Sequence, residues 1–129
     1  MAKTIANVFG LIYIVVGIAG FIPALGGTMG MTPSTLLGVA DTNIIHNIVH
    51  LIIGFAGVTM GRTDEGAATY CKTFGVILLL IGVLGFFVPN LFGILPIGGN
   101  DPWIHLASGV VLAIGGFATA PSGRAATTH

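Results

Sequence analysis

His46 and His50 stand four residues apart, a spacing that puts both imidazoles on one face of any helix that carries them. A third histidine, His105, follows Asp101 at the same distance. Three kinds of chemistry fit these four residues. In the first, each imidazole hydrogen-bonds a backbone carbonyl of a neighbouring loop and the aspartates cap helices. This structural role has the stronger footing, because buried polar groups normally occur in satisfied pairs. In the second, His50 and His105 ligate a tetrapyrrole, a haem or a chlorophyll-type pigment, between helices of a bundle. Gly54 and Gly109, one turn further on, would leave room for its flat ring. In the third, His46, His50 and His105 with Asp101 bind a transition metal, for which a histidine pair at i, i+4 has ligand spacing. The fourth histidine, His129, closes a short polar stretch and reads as an unordered terminal residue.

Other chemistry lacks its parts. Paired carboxylates, a serine with a nearby histidine and acid, and a cysteine–histidine pair are all missing from the sequence pattern, so the chain reads as non-enzymatic, with no catalytic residue assigned. The single cysteine, Cys71, beside Lys72 at the edge of an apolar run, reads as an inert interfacial thiol. Four Lys+Arg against four Asp+Glu leave no basic patch for nucleic acid.

The elements that must position the histidines follow from composition. Of 129 residues, 54% are hydrophobic and 6% charged. A soluble surface needs far more charge than that, and disorder needs low hydrophobicity, so the composition is that of an integral membrane protein. Four apolar runs stand out, about Ile5 to Leu25, Ile44 to Met60, Thr73 to Val88 and Trp103 to Ala118. Each is close to the length a helix needs to cross a bilayer once the polar starts of the second and fourth are added. None alternates as a barrel strand would. The first run reads as a retained helix rather than a signal peptide, because it has a partner later in the chain. Asp101 followed by Pro102 reads as a helix N-cap with proline at the first helical position, and Asp41 or Asn43 can cap the second helix in the same way.

Charge sets the orientation. Lys3, Arg62, Lys72 and Arg124 all fall on one side of the four runs, while the loops at 26–43 and 90–102 carry no lysine or arginine. By the positive-inside rule both termini are cytoplasmic and the histidines lie near the outer face. The outer loops are themselves apolar, with Met29, Met31, Leu36, Leu37, Leu91, Ile94, Leu95 and Ile97, and are expected in the interface or folded over the bundle. Trp103 reads as an interfacial anchor. No carboxylate or cation lies within the apolar runs, which argues against a proton pump or an ion-coupled transporter.

The chain also repeats itself. Phe9, Gly10, Ile12, Gly17, Gly20 and Phe21 recur 65 residues later as Phe74, Gly75, Ile77, Gly82, Gly85 and Phe86. Leu36 and Gly38 recur 55 residues later as Leu91 and Gly93, and His50, Leu51 and Gly54 as His105, Leu106 and Gly109. At that second offset His46 falls opposite Asp101. The unit is helix, outer loop, helix, used twice, at residues 5–60 and 73–118, with a polar tail at 119–129. Two units in the same orientation predict an all-α membrane four-helix bundle of tandem hairpins related by a pseudo-twofold axis along the membrane normal. Gly10 and Gly17, like Gly75 and Gly82, are two helical turns apart and share a face. With Gly20, Gly54, Gly57, Gly85 and Gly109 they read as close-packing surfaces, not phosphate loops.

The stretch holding Asn43, His46, His50, Leu51 and Gly54 resembles the signature of a bacterial domain-of-unknown-function family of small four-span membrane proteins. The stretch holding Asn100, His105, Leu106 and Gly109 resembles that family's second His-Leu-x-x-Gly copy, with Pro102 and Trp103 standing where an apolar pair is usual. The resemblance covers about residues 5–118 and implies the four-helix fold and a bacterial cytoplasmic membrane, with no activity. The leading expectation is an accessory subunit of a larger membrane complex, with lipid, other membrane proteins or a homo-oligomer as partners. A haem or pigment protein is the alternative and a small-solute channel the weaker one, since little polar surface is available to line a pore.

Overall fold

The structure, a computed structural model, describes residues 1–118. The polar tail expected at 119–129, with Arg124 and His129, lies outside them. Helix α1 spans Ala2–Ala19 and a single 3₁₀ turn follows at Pro23–Leu25. Strands β1 (Ser34–Leu36) and β2 (Ala40–Thr42) form an antiparallel hairpin. Helices α2 (Ile44–Met60) and α3 (Asp64–Phe87) come next, then the short α4 (Leu91–Ile94) and α5 (Asp101–Phe117).

Two helix boundaries differ from the apolar runs by more than a turn, and the 3₁₀ turn, the β1–β2 hairpin and α4 are additional to the four expected helices. Helix α1 ends at Ala19 instead of running to Leu25, because Pro23 cannot continue an α-helical ladder. Helix α3 begins at Asp64, well before Thr73. Thr63 caps it, its Oγ1 accepting from Gly66 N at 2.9 Å, and Asp64 and Glu65 occupy the first turn where the helix dipole favours acid. Lys72 is therefore part of α3, with its ammonium 5.7 Å from the Phe117 ring centroid. Cys71 is fully buried inside α3, not interfacial, and its thiol faces the Ala2 carbonyl. The β1–β2 hairpin turns at Leu37 and Gly38, with φ of 53° and 69°, and Val39 N donates to Leu36 O at 2.9 Å. Two successive positive φ values, at the central residues of the turn in a three-residue loop (37–39), are a local geometry that hydropathy does not report.

Helix α1 packs chiefly on α2, and α3 chiefly on α5. The seams are made by glycine. A Cβ on Gly10 would lie 2.8 Å from Val58 N and 2.9 Å from Gly54 O; one on Gly75 would lie 2.7 Å from Ala113 N and 3.2 Å from Gly109 O. Gly17 meets Leu51 as Gly82 meets Leu106, and Gly57 meets Gly10 and the Tyr70 ring. At offsets of 65 and 55 these are the same contacts made twice. The shared core holds Ala6, Tyr13, Ile53, Tyr70, Leu78 and Leu112, and the Tyr70 hydroxyl donates to Ile53 O at 3.0 Å.

Helices α1 and α3 are long and apolar enough to cross a membrane. Only 28% and 33% of their apolar windows are buried by the rest of the chain, unlike the core helices of a soluble domain.

Candidate functional site

The N-terminal ends of α2 and α5 carry the candidate residues, and two loop segments close over them. Helix α2 starts at Asn43, whose side chain accepts from His46 N at 2.9 Å. The Asn43 amide then donates to Met31 O at 3.2 Å and Ile94 O at 2.8 Å, tying both loops to one helix end. Asp41 is not a cap: it lies on β2 and accepts from Thr35 Oγ1 at 2.9 Å. Asp101 is not an N-cap either. Asn100 holds that position, making no side-chain cap bond, and its amide donates to Val39 O at 2.7 Å. Asp101 is the first residue of α5, so its carboxylate turns into the protein, where it is 3% exposed.

Loop anchoring, expected of the histidines, is done by asparagine. Asn47 is fully buried, and its amide donates to Gly20 O at 2.7 Å and Thr28 O at 3.0 Å while its carbonyl accepts from Thr42 Oγ1. Gly20 is glycine because a Cβ there would fall on this carboxamide. An asparagine inside the first turn of an apolar run is the signal that the sequence offers for this role.

The three imidazoles converge instead. One ligand-capable atom from each of His46, His50 and His105 lies within 4.8 Å of the other two. The rings of His46 and His50 have centroids 4.3 Å apart, and those of His46 and His105 are 6.0 Å apart. The Nδ1 atoms of all three are buried without a hydrogen-bond partner. The Asp41 carbonyl lies toward His46 without closing a bond of normal geometry. Asp101 stands beside the cluster, with Oδ2 3.9 Å from His46 Nδ1 and likewise unpartnered. Tyr13 of α1 closes the site from the other side. Its ring meets His50 edge-on at 5.3 Å, and its hydroxyl is buried with no hydrogen bond of normal geometry.

Two cavities flank the imidazoles. One, of about 240 Å³, lies between α1, the hairpin and α5 and is lined by Ile12, Tyr13, Val16, Ala40, Asp101 and Ile104 together with His50 and His105. The other, of about 110 Å³, lies between α2 and α3 and is lined by Ile77, Leu78, Ile81 and Ile97 with all three histidines. Ile12, Tyr13 and Val16 correspond at the 65-residue offset to Ile77, Leu78 and Ile81. The first cavity thus holds a tyrosine and an aspartate where the second holds a leucine and His46.

Gly54 and Gly109 do not leave room for a flat ring. Gly54 is filled by Gly10 and Ile14, and Gly109 by Gly75 and Leu79, because these glycines are consumed by the helix seams. Trp103 is exposed at the end of α5 and meets Phe86 edge-on at 5.1 Å. Leu36 and Ile97 are buried, so the loops at 26–43 and 90–102 each fold inward in part, while Met29, Leu37 and Ile94 stay exposed.

Comparison with curated proteins and with solved structures finds no match. A family comparison does, over residues 3–118, which takes in both His-Leu-x-x-Gly stretches and every element described above. The chain therefore belongs to the family described as domain of unknown function DUF4383.

Proposed function

We propose that this chain is a four-span membrane protein that binds a divalent transition-metal ion through His46, His50 and His105 near its non-cytoplasmic end. The observation that carries the reading is the convergence of three imidazoles whose buried Nδ1 atoms have no partner in the protein. An unpaired buried polar group is costly, and three in one place are three times so. A metal ion bound through Nδ1 of His50 and His105 would remove that cost at two of them, while His46, binding through its other ring nitrogen, would have its Nδ1–H matched by Asp101. Neutral imidazoles suit a borderline ion such as Zn²⁺. In a tetrahedral site with bonds of about 2.0–2.1 Å, ligand atoms lie roughly 3.3 Å apart, so side-chain rotations closing the triangle by about 1.5 Å complete it. Asp101 then serves as the carboxylate that orients His46 by accepting from Nδ1, an arrangement common around zinc. The proposed role is binding, not catalysis.

The membrane part of the reading has separate support. Helices α2 and α5, at 17 residues each, span about 26 Å, close to the hydrocarbon thickness. The doubled Gly10–Gly54 and Gly75–Gly109 seams support two hairpins in the same orientation. The lysines and arginines favour cytoplasmic termini in a bacterial inner membrane. Exposed apolar loop tips at Met29 and Leu37 leave an accessory-subunit role compatible with the metal site.

The test is Zn²⁺ titration of detergent-purified protein carrying no histidine tag, with bound metal counted by elemental analysis. One ion per chain is expected, lost in His50→Ala and His105→Ala and kept in His129→Ala. Zinc retained by all three variants, or none bound by a folded wild type, sinks the reading.

A further inference from the structure

We propose that the larger cavity, between α1 and α5, is a binding site for a lipid-soluble hydroxy-aromatic molecule of the hydroquinone class. The proposal rests on the cavity and its polar groups and does not require the metal; where Asp101 also accepts from His46, its carboxylate keeps further lone pairs for this ligand.

The cavity has two chemically distinct walls. Its outer rim is Ile12, Leu37, Val39 and Ile104, each of them exposed and apolar. A molecule entering there comes from the lipid phase and leaves an apolar tail among these side chains. Its inner wall includes Tyr13 and Asp101, both more than nine-tenths buried; Asp101 Oδ2 has no hydrogen-bond partner, and the Tyr13 hydroxyl has only the Ser108 side chain beside it, short of normal hydrogen-bond geometry. A buried tyrosine hydroxyl and carboxylate left poorly matched are each expensive, and both residues line the same space.

The head group is selected by what satisfies both. A carboxylate head meets repulsion from Asp101. A protonated amine can donate to Asp101 but cannot accept from Tyr13. A carbonyl accepts from Tyr13 and leaves Asp101 unmatched. A hydroxyl accepts from Tyr13 and donates to Asp101, so it satisfies both groups. The Tyr13 ring and the His50 imidazole, edge to face at 5.3 Å, offer aromatic surface to a flat ring bearing that hydroxyl.

The repeat supplies an internal control. The cavity between α2 and α3 is lined by Leu78 where this one has Tyr13, and by His46 where this one has Asp101. Only the α1–α5 cavity carries the hydroxyl and carboxylate pair, so one site per chain follows.

Native mass spectrometry of the full chain in detergent tests this, with decylubiquinol kept reduced as the probe and decylamine as the control. A saturable 1:1 quinol adduct is expected, weakened about tenfold by Tyr13→Phe, which removes one hydrogen bond and no packing. Ala40→Trp, which fills the cavity, should abolish it. Absence of a quinol adduct, an adduct indifferent to both substitutions, or equal binding of decylamine overturns the proposal. Zinc appears as its own mass increment in the same spectra, so failure of the quinol site and failure of the metal site are read independently.

Discussion

His46 Nδ1 stands 3.9 Å from Asp101 Oδ2, across the gap between the start of α2 and the start of α5. These two residues occupy the same place in the two halves of the duplicated sequence, as His50 and His105 do. The site is therefore built from one helix start used twice, with an imidazole at one position in the first half and a carboxylate in the second. On the proposed metal site that difference would separate a ligand from the group that orients it.

Asp101→Asn tests this division of roles. The amide keeps the shape and loses the charge. Zinc stoichiometry should stay at one per chain, while affinity falls about 10- to 100-fold, the usual cost of an altered group behind a metal-bound histidine. Competition against a chelator of known affinity measures it. If stoichiometry falls to zero, Asp101 is a ligand and not an orienting group.

Asn47 should matter more for folding than any histidine. Asn47→Ala leaves Gly20 O and Thr28 O without donors in a buried setting and should cost about 3 kcal/mol. The loss should appear as a lower unfolding midpoint in detergent, and as faster amide exchange over residues 20–30 than elsewhere. Uniform exchange across the chain would show that Asn47 does not anchor that loop.

These residues also mark how far the sequence could be read. The helices are legible because their apolar runs are long, and the run Ile44 to Met60 coincides with α2. The start of α3 was not, because Thr63, Asp64 and Glu65 signal a helix by capping, and hydropathy registers them only as polar. The histidines were legible as candidates from type and spacing. Their convergence was not, because helix rotation depends on tertiary packing, here the seams that set Gly54 against α1 and Gly109 against α3, which hydropathy and spacing do not report. Asp101 was misread as a cap because Asn100, one residue earlier, takes the position instead, and Tyr13 gave no signal among its apolar neighbours.

The seams make a prediction of matched effects. Gly10→Ala and Gly75→Ala each push a methyl into a neighbouring backbone nitrogen, at 2.8 Å and 2.7 Å. Each should destabilise the protein by about 2 kcal/mol. Gly93→Ala is a poor comparison, since its φ of 79° strains any side chain. Gly30→Ala, with only the Thr28 hydroxyl near at 3.6 Å, should change little. Thermal unfolding in one detergent ranks the three, and a large difference between Gly10→Ala and Gly75→Ala would count against equivalent hairpins.

Leu37 lies at φ 53°, in the left-handed region, and is 65% exposed. A leucine there pays about 1 kcal/mol in backbone strain that asparagine largely avoids. Leu37→Asn should therefore raise the unfolding midpoint despite removing an apolar side chain. It should also loosen the rim of the α1–α5 cavity and weaken decylubiquinol binding, because Leu37 lines that rim. Stability and binding then move in opposite directions, which a simple loss of folding cannot produce. Measuring both on one preparation separates a strained residue kept for its cavity contact from one kept by chance: unchanged binding with raised stability would leave the strain at Leu37 without a role in that site.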